Sequence, residues 1–221
     1  MNFYDKVPGW LNPKSLKLIL ALDKLLSDNS VEGDILEIGV FSGRSSLLFL
    51  ILNENTNAEF YFCDKFPPPM LRLFNLYIEY FVSKNLKVNI LAKLSNQLKE
   101  SDLSYKNKMI HIDGSHDYEP IYKDLEFCSN RLVEKGVLML DDFIHPGYPD
   151  VNFAVTQFLR SNNHLCPFLY AFGKLFCCRA EDKDWFDSQI DNLISFELLS
   201  KMKLKKKESK LLDYKFNRLI G

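Results

Sequence analysis

The chain has few of the features that mark a secreted, membrane-spanning or nucleic-acid-binding protein. Its five cysteines (Cys63, Cys128, Cys166, Cys177 and Cys178) are odd in number, and no two are spaced CxxC. That argues against a disulfide framework and a zinc site, and it suits reduced thiols in a cytoplasm. The N-terminal stretch MNFYDKVPGW lacks the charged-then-apolar pattern of a secretory signal. The longest apolar stretch, around Ser46 to Leu52, is too short to cross a bilayer. Basic and acidic residues nearly cancel, with a formal net charge of -1, so no overall field favours nucleic acid or acidic lipid. There is no internal repeat, and no low-complexity linker before residue 180. What is present, 47% hydrophobic and 26% charged residues over 221 positions, reads as one globular domain with its own core.

Short apolar runs alternate with helical spacing. Asn12-Pro13 reads as a helix start that runs to Asp28-Asn29-Ser30. Strands are predicted at 34–38, 59–63, 88–91, 108–112 and 136–140, with helices at 44–53, 70–83 and 118–133 between them. The prolines at 67–69 predict a loop before the 70–83 helix. The strands are continuous apolar runs without in/out alternation, which implies a parallel sheet covered on both faces. Near the end, 168–172 and 175–179 are joined only by Gly173-Lys174, and such a short link joins antiparallel neighbours. The expected fold is therefore a doubly wound α/β domain. Its seven-stranded sheet is mostly parallel and carries an antiparallel strand in a C-terminal hairpin. Residues 1–180 would form the domain, and 181–221 a helical, lysine-rich extension with a solvated, partly frayed tail, or a basic patch for an acidic substrate or partner.

Ligands of open α/β sheets bind outside the carboxyl ends of the strands, and here those ends carry chemistry. In LEIGVFSGRSS, Leu36 to Ser46, Glu37 lies within the strand, and Gly39 and Gly43 bracket the turn into a helix. Glycines let a backbone approach a ligand, and the helix start offers free N–H donors. The spacing E-x-G-x-x-x-G meets neither the dinucleotide fingerprint nor the phosphate-binding P-loop. Asp64 closes the second strand, where an acid can accept hydrogen bonds from ribose hydroxyls. Asp113 closes the fourth strand and Asp141-Asp142 the fifth. Three converging carboxylates would repel one another unless a cation such as Mg²⁺ held them. His116, three residues beyond Asp113, is placed to act as a general base near neutral pH. His145 is a rival for that role, and His111 and His164 read as structural.

The glycine turn, the acid closing strand two and the final hairpin resemble class I S-adenosylmethionine-dependent methyltransferases. The segment IDGSHDYEPIYKDLE…LVEKGVLMLDDF is more specific. With GYPDVNFAVTQFL and VPGWL, it resembles the metal-dependent O-methyltransferases of the macrocin type and, more distantly, catechol O-methyltransferase and the cephalosporin hydroxylases. The resemblance covers residues 7 to 180. It implies a Rossmann-like methyltransferase fold in which Glu37, Gly39, Ser42, Gly43, Ser45, Asp64, Ser95 and Asp113 contact S-adenosylmethionine. It further implies that Asp113, Asp141 and Asp142 hold Mg²⁺ or a similar divalent cation, and that His116 takes the proton of an acceptor hydroxyl. Two departures from the catechol enzymes, histidine in place of their lysine base and an acid-acid in place of an acid-amide pair, point towards the sugar-modifying group. The implied partner is a small-molecule or saccharide acceptor; the resemblance assigns no acceptor-binding part, and the candidates are the aromatic or proline-rich segments Tyr4 to Trp10, Phe66 to Phe74 and Ile144 to Asn152. Nucleic acid and membrane are not expected partners, a homo-oligomer is compatible with the sequence, and the expected location is cytoplasmic. Other readings are a same-fold enzyme of diverged, hydroxylase-like chemistry, or a non-catalytic nucleoside-binding module.

Overall fold

A computed structural model describes residues 6–104 and 106–221. The chain opens with helix α1 (Pro13–Asp28), whose Asn12 side chain caps the Lys14 N–H at 2.8 Å. Strands and helices then alternate: β1 (Asp34–Ile38), α2 (Arg44–Leu52), β2 (Glu59–Asp64), α3 (Pro68–Ser83), β3 (Lys87–Ala92), β4 (Asn107–Ile112), α4 (Tyr118–Cys128), β5 (Leu132–Leu140) and α5 (Pro149–Ser161). The C-terminal part holds β6 (Leu165–Ala171), β7 (Lys174–Arg179), α6 (Lys183–Ser195), α7 (Glu197–Ser200), β8 (Lys205–Leu211) and β9 (Tyr214–Ile220). The strand order is β3-β2-β1-β4-β5-β7-β6-β9-β8. The first five strands are mutually parallel, and β7 runs antiparallel to both β5 and β6.

Alternate strand residues feed two apolar layers. Ile35, Phe60, Phe62, Met109, Val137 and Met139 join α1, α2, α3 and α6 on one face. Leu36, Cys63, Ile110, Ile112, Leu138 and Leu140 join α4 and α5 on the other. This is the doubly wound α/β architecture the apolar runs imply. All five cysteines are free and buried. Among the described residues no helix is long and apolar enough to cross a membrane.

Three expectations need correction. The sheet has nine strands, because the lysine-rich segment is not a frayed tail. It forms the β8–β9 hairpin, whose β9 adds in parallel to β6 and inserts Phe216 and Leu219 into the interior. A lysine-rich run suits a solvated edge strand as readily as a tail. Next, α3 begins at Pro68, since proline fits the first helical turn where its missing N–H has no partner to lose. The third concerns α4, which stops at Cys128. The chain turns through Ser129–Arg131 into a longer β5, with Lys135 at φ 58° where the register with β4 shifts.

Candidate active site

The chain runs outward from β1 to β3 and then returns to β4 on the other side of β1, so the sheet's switch point lies between β1 and β4. There the Asp113 N–H donates to the Ile38 carbonyl at 2.8 Å. Gly39, at φ 89°, is pressed against this junction, and a Cβ on it would stand 1.9 Å from the Asp113 carbonyl oxygen. Asp64 clasps the glycine turn. One of its oxygens accepts from the Val40 and Phe41 N–H groups, both at 2.8 Å, and the other from the Phe66 N–H at 3.0 Å. Gly43, at φ 90°, faces the Phe74 ring of α3 rather than open space. The N-terminal VPGWL segment covers the turn. Ser42, fully buried, donates to the Pro8 carbonyl, Arg44 donates to Gly9, and Trp10 packs on Phe41 with centroids 5.1 Å apart. Tyr4 and Asp5, at the start of the first candidate acceptor segment, lie outside the described residues.

Of the sequence-predicted cofactor contacts, Gly39, Asp64 and Asp113 meet at this junction, and Ser45 is partly exposed beside it. Glu37 and Ser42 are fully buried with their side chains engaged inside the protein, so they shape the turn from below. Glu37 belongs to a buried polar strip. Ser46 donates to one of its oxygens, and His111 Nδ1 lies 2.9 Å from the other. His111 Nε2 in turn lies 3.1 Å from Lys174 Nζ, and Lys174 also donates to Asp141. An ammonium can only donate, so Nε2 accepts and the imidazole proton sits on Nδ1, donating to Glu37.

This strip divides the three acids. Asp141 turns inward to Lys174, while Asp142, held at φ 55°, turns outward to His116, with Asp142 Oδ2 3.0 Å from His116 Nε2. Asp113 stands between them. Two groups of potential ligand atoms lie within 4.8 Å of one another: His111, Asp113 and Asp141 inside, and Asp113, His116 and Asp142 outside. Asp113, Asp141 and Asp142 do not form one such group among the described residues. Burial raises the Asp113 carboxyl well above its ordinary range, and the neighbouring Asp141 adds to this. Burial alone would raise Asp141 too, but the Lys174 ammonium, which also donates to it, outweighs this and leaves Asp141 lowered. The inner site therefore already holds a cation, the Lys174 ammonium, and the outer site does not.

His116 is held by a ring stack. Its imidazole lies 3.8 Å from the Tyr148 ring at an interplanar angle of 7°, and His145 stacks on Tyr148 at 4.5 Å. His145 also accepts from its own turn, the Gly147 N–H at 3.1 Å, so the rival base has a local structural partner. His164 bonds to Ser129, as a structural histidine would. Lys174 and Tyr148 carried no sequence signal, because a lysine next to a hairpin glycine and a tyrosine in a loop look ordinary until the fold brings them in. Asp124 of α4 was missed too. It is buried, its Oδ2 has no hydrogen-bond partner, and Ser95 bonds to its carboxyl. Burial pushes it up to about 6, with Ser95 opposing the shift.

Residues 36–143, which hold the glycine turn and all three acids, match a family described as a methyltransferase domain. No curated protein matches the chain. Among solved structures, it is similar to the O-methyltransferase NovP, with 16% identity, a TM-score of 0.57, and 75% of this chain and 79% of that one covered. It is similar to an O-methyltransferase from Bacillus cereus in complex with SAH, at 14% identity, TM-score 0.59, and 79% and 85% covered. CalS11, a TDP-rhamnose 3'-O-methyltransferase, matches at 17% identity and TM-score 0.52, covering 69% and 74%. At these identities the likeness speaks to the fold, which is that of the class I methyltransferases.

Proposed function

We propose that the chain is an S-adenosylmethionine-dependent O-methyltransferase that acts, with a divalent cation, on a hydroxyl of a small molecule or sugar. The observation that carries this reading is the convergence of Asp113, His116 and Asp142 at the carboxyl ends of β4 and β5, across the switch point from the glycine turn. The residues suit the cofactor. The turn clasped by Asp64 is rigid, and the unpartnered Asp124 Oδ2 offers a buried acceptor for a ligand's donor group. The outer site suits a hard cation with two carboxylates and an imidazole beside them. Asp113 and Asp142 would hold the ion. Asp141, the third acid of the expected set, is already neutralised by Lys174.

When bound, the cofactor supplies an already activated methyl group and the cation lowers the pKa of the acceptor hydroxyl. The protein's part is alignment and proton removal. Asp142 can only accept from Nε2 of His116 when ionised, which fixes the ring proton there and leaves Nδ1 as the basic nitrogen. Tyr148 keeps the ring from rotating away. Exposed apolar side chains on the segments that follow these strand ends, Phe41 with Trp10 packed on it after β1 and Ile144 after β5, suit an acceptor with a ring or aliphatic face. In a screen of hydroxylated acceptors with labelled S-adenosylmethionine, transfer should stop in EDTA and return with Mg²⁺. His116→Ala should lower turnover by roughly 10²-fold or more with cofactor affinity nearly unchanged. Full activity in chelator would remove the metal from this scheme, and collapse of cofactor affinity in His116→Ala would make His116 structural.

A further inference from the structure

The β8–β9 hairpin does more than extend the sheet. A cavity of about 250 Å³ opens between it and the loop after β5, lined by Phe143, Ile144, Tyr170, Phe216, Lys210 and Arg218. Phe143 and Ile144 directly follow Asp142, so the cavity adjoins the outer acid site. Tyr170 links the two. Its oxygen accepts from the Gly173 N–H, in the turn whose glycine stands beside Asp141, and Tyr170 pairs with Arg218 across β6 and β9. The Arg218 guanidinium lies 5.4 Å from the centroid of the Tyr170 ring, and Phe143 meets the same ring at 6.0 Å, edge on.

Of the two charged side chains on this wall, Lys210 has a counter-ion and Arg218 has none among the described residues. Most hairpin lysines have one: Lys206 with Asp191, Lys215 with Glu208 and Lys210 with Asp213. Lys207 and Arg218 have no ion pair among the described residues, yet the register sets them directly opposite each other on the face that also carries Ser209 and Phe216. Like charges placed opposite on a strand pair are destabilising, and an anion between them turns that cost into binding. Aromatic walls with Arg218 on the lining, and Lys207 opposite it on the same face of the hairpin, are the chemistry of a site for a ring-bearing anion.

We propose that this cavity is the acceptor's anion subsite: it takes a phosphate or carboxylate carried by the hydroxylated acceptor whose hydroxyl reaches Asp113, His116 and Asp142. The proposal rests on the methyltransferase reading for the identity of that acceptor, but its test does not. In metal-free buffer the full chain is titrated calorimetrically with inorganic pyrophosphate and, separately, with citrate. The comparison is with Lys207→Gln/Arg218→Gln and with Lys203→Gln, an exposed lysine outside the cavity. S-adenosylhomocysteine is titrated into each protein in parallel. The wild type should bind at least one anion, and which one it prefers assigns the phosphate or the carboxylate. The double variant should bind it at least tenfold more weakly, the control within twofold, and S-adenosylhomocysteine equally throughout. Absence of binding to the wild type, or equal weakening in Lys203→Gln, overturns the subsite. Anion binding in a wild type that ignores S-adenosylhomocysteine sustains the subsite and overturns the cofactor reading instead.

Discussion

Lys174 is the residue that most changes the picture of the acid cluster. It is buried between His111 and Asp141, and it settles which of the two candidate cation sites is already neutralised. Removing one partner of a buried ion pair leaves the other charge stranded. Lys174→Met should therefore cost about 3 to 5 kcal/mol in urea unfolding, and adding Asp141→Asn should recover much of that loss. A single-variant cost below about 1 kcal/mol would mean that Asp141 is neutralised in some other way. Asp124 gives a pH signature. Its folded pKa, about 6, is raised above the ordinary 3.8, so the carboxyl favours the fold while protonated, and that contribution is lost as pH rises through 6. The interval corresponds to on the order of 3 kcal/mol. Between pH 4 and pH 7 the wild type should lose about that much stability relative to Asp124→Asn, and parallel pH profiles would contradict the assignment. At this scale the sequence disclosed the residues at strand ends, since Asp64, Asp113, His116 and Asp142 each follow an apolar run. It hid Lys174, which is 33 residues from Asp141 and 63 from His111 and reaches both only through the β5–β7 pairing.

Among the elements, the parallel core was legible because each buried strand is a continuous apolar run closed by an acid or a glycine. The β6–β7 hairpin was legible for the same kind of reason, and its turn at Phe172-Gly173 has both residues at positive φ, as a two-residue hairpin turn requires. The β8–β9 hairpin was not legible. Its strands are charged and mostly exposed, and only Phe216 and Leu219 carry a core signal. The junction of β1 with β4 is the tightest contact near the site. Gly39→Ala would place a methyl into the Asp113 carbonyl at a backbone angle that L-residues rarely adopt. The substitution should destabilise the chain by about 3 kcal/mol or more, lowering Tm by roughly 6 to 12 °C. A variant that melts with the wild type would show that the turn can move away from β4 freely.

At the scale of the whole molecule, the fold places a glycine turn clasped by Asp64 and an acid-histidine pair at the carboxyl end of one nine-stranded sheet. The sheet's switch point brings them together, which is why residues as distant as Gly39 and Asp142 share a site. The proposed acceptor was not legible because the segments that would contact it, the loop after β5 and the C-terminal hairpin, carry no periodic pattern that constrains the sequence. The central claim is that this cleft takes S-adenosylmethionine rather than a nicotinamide dinucleotide, as the E-x-G-x-x-x-G spacing implies. Calorimetric titration of the wild-type chain with each cofactor tests it directly. Saturable binding of S-adenosylmethionine without binding of NAD is the expected result. Binding of NAD without S-adenosylmethionine would contradict the account.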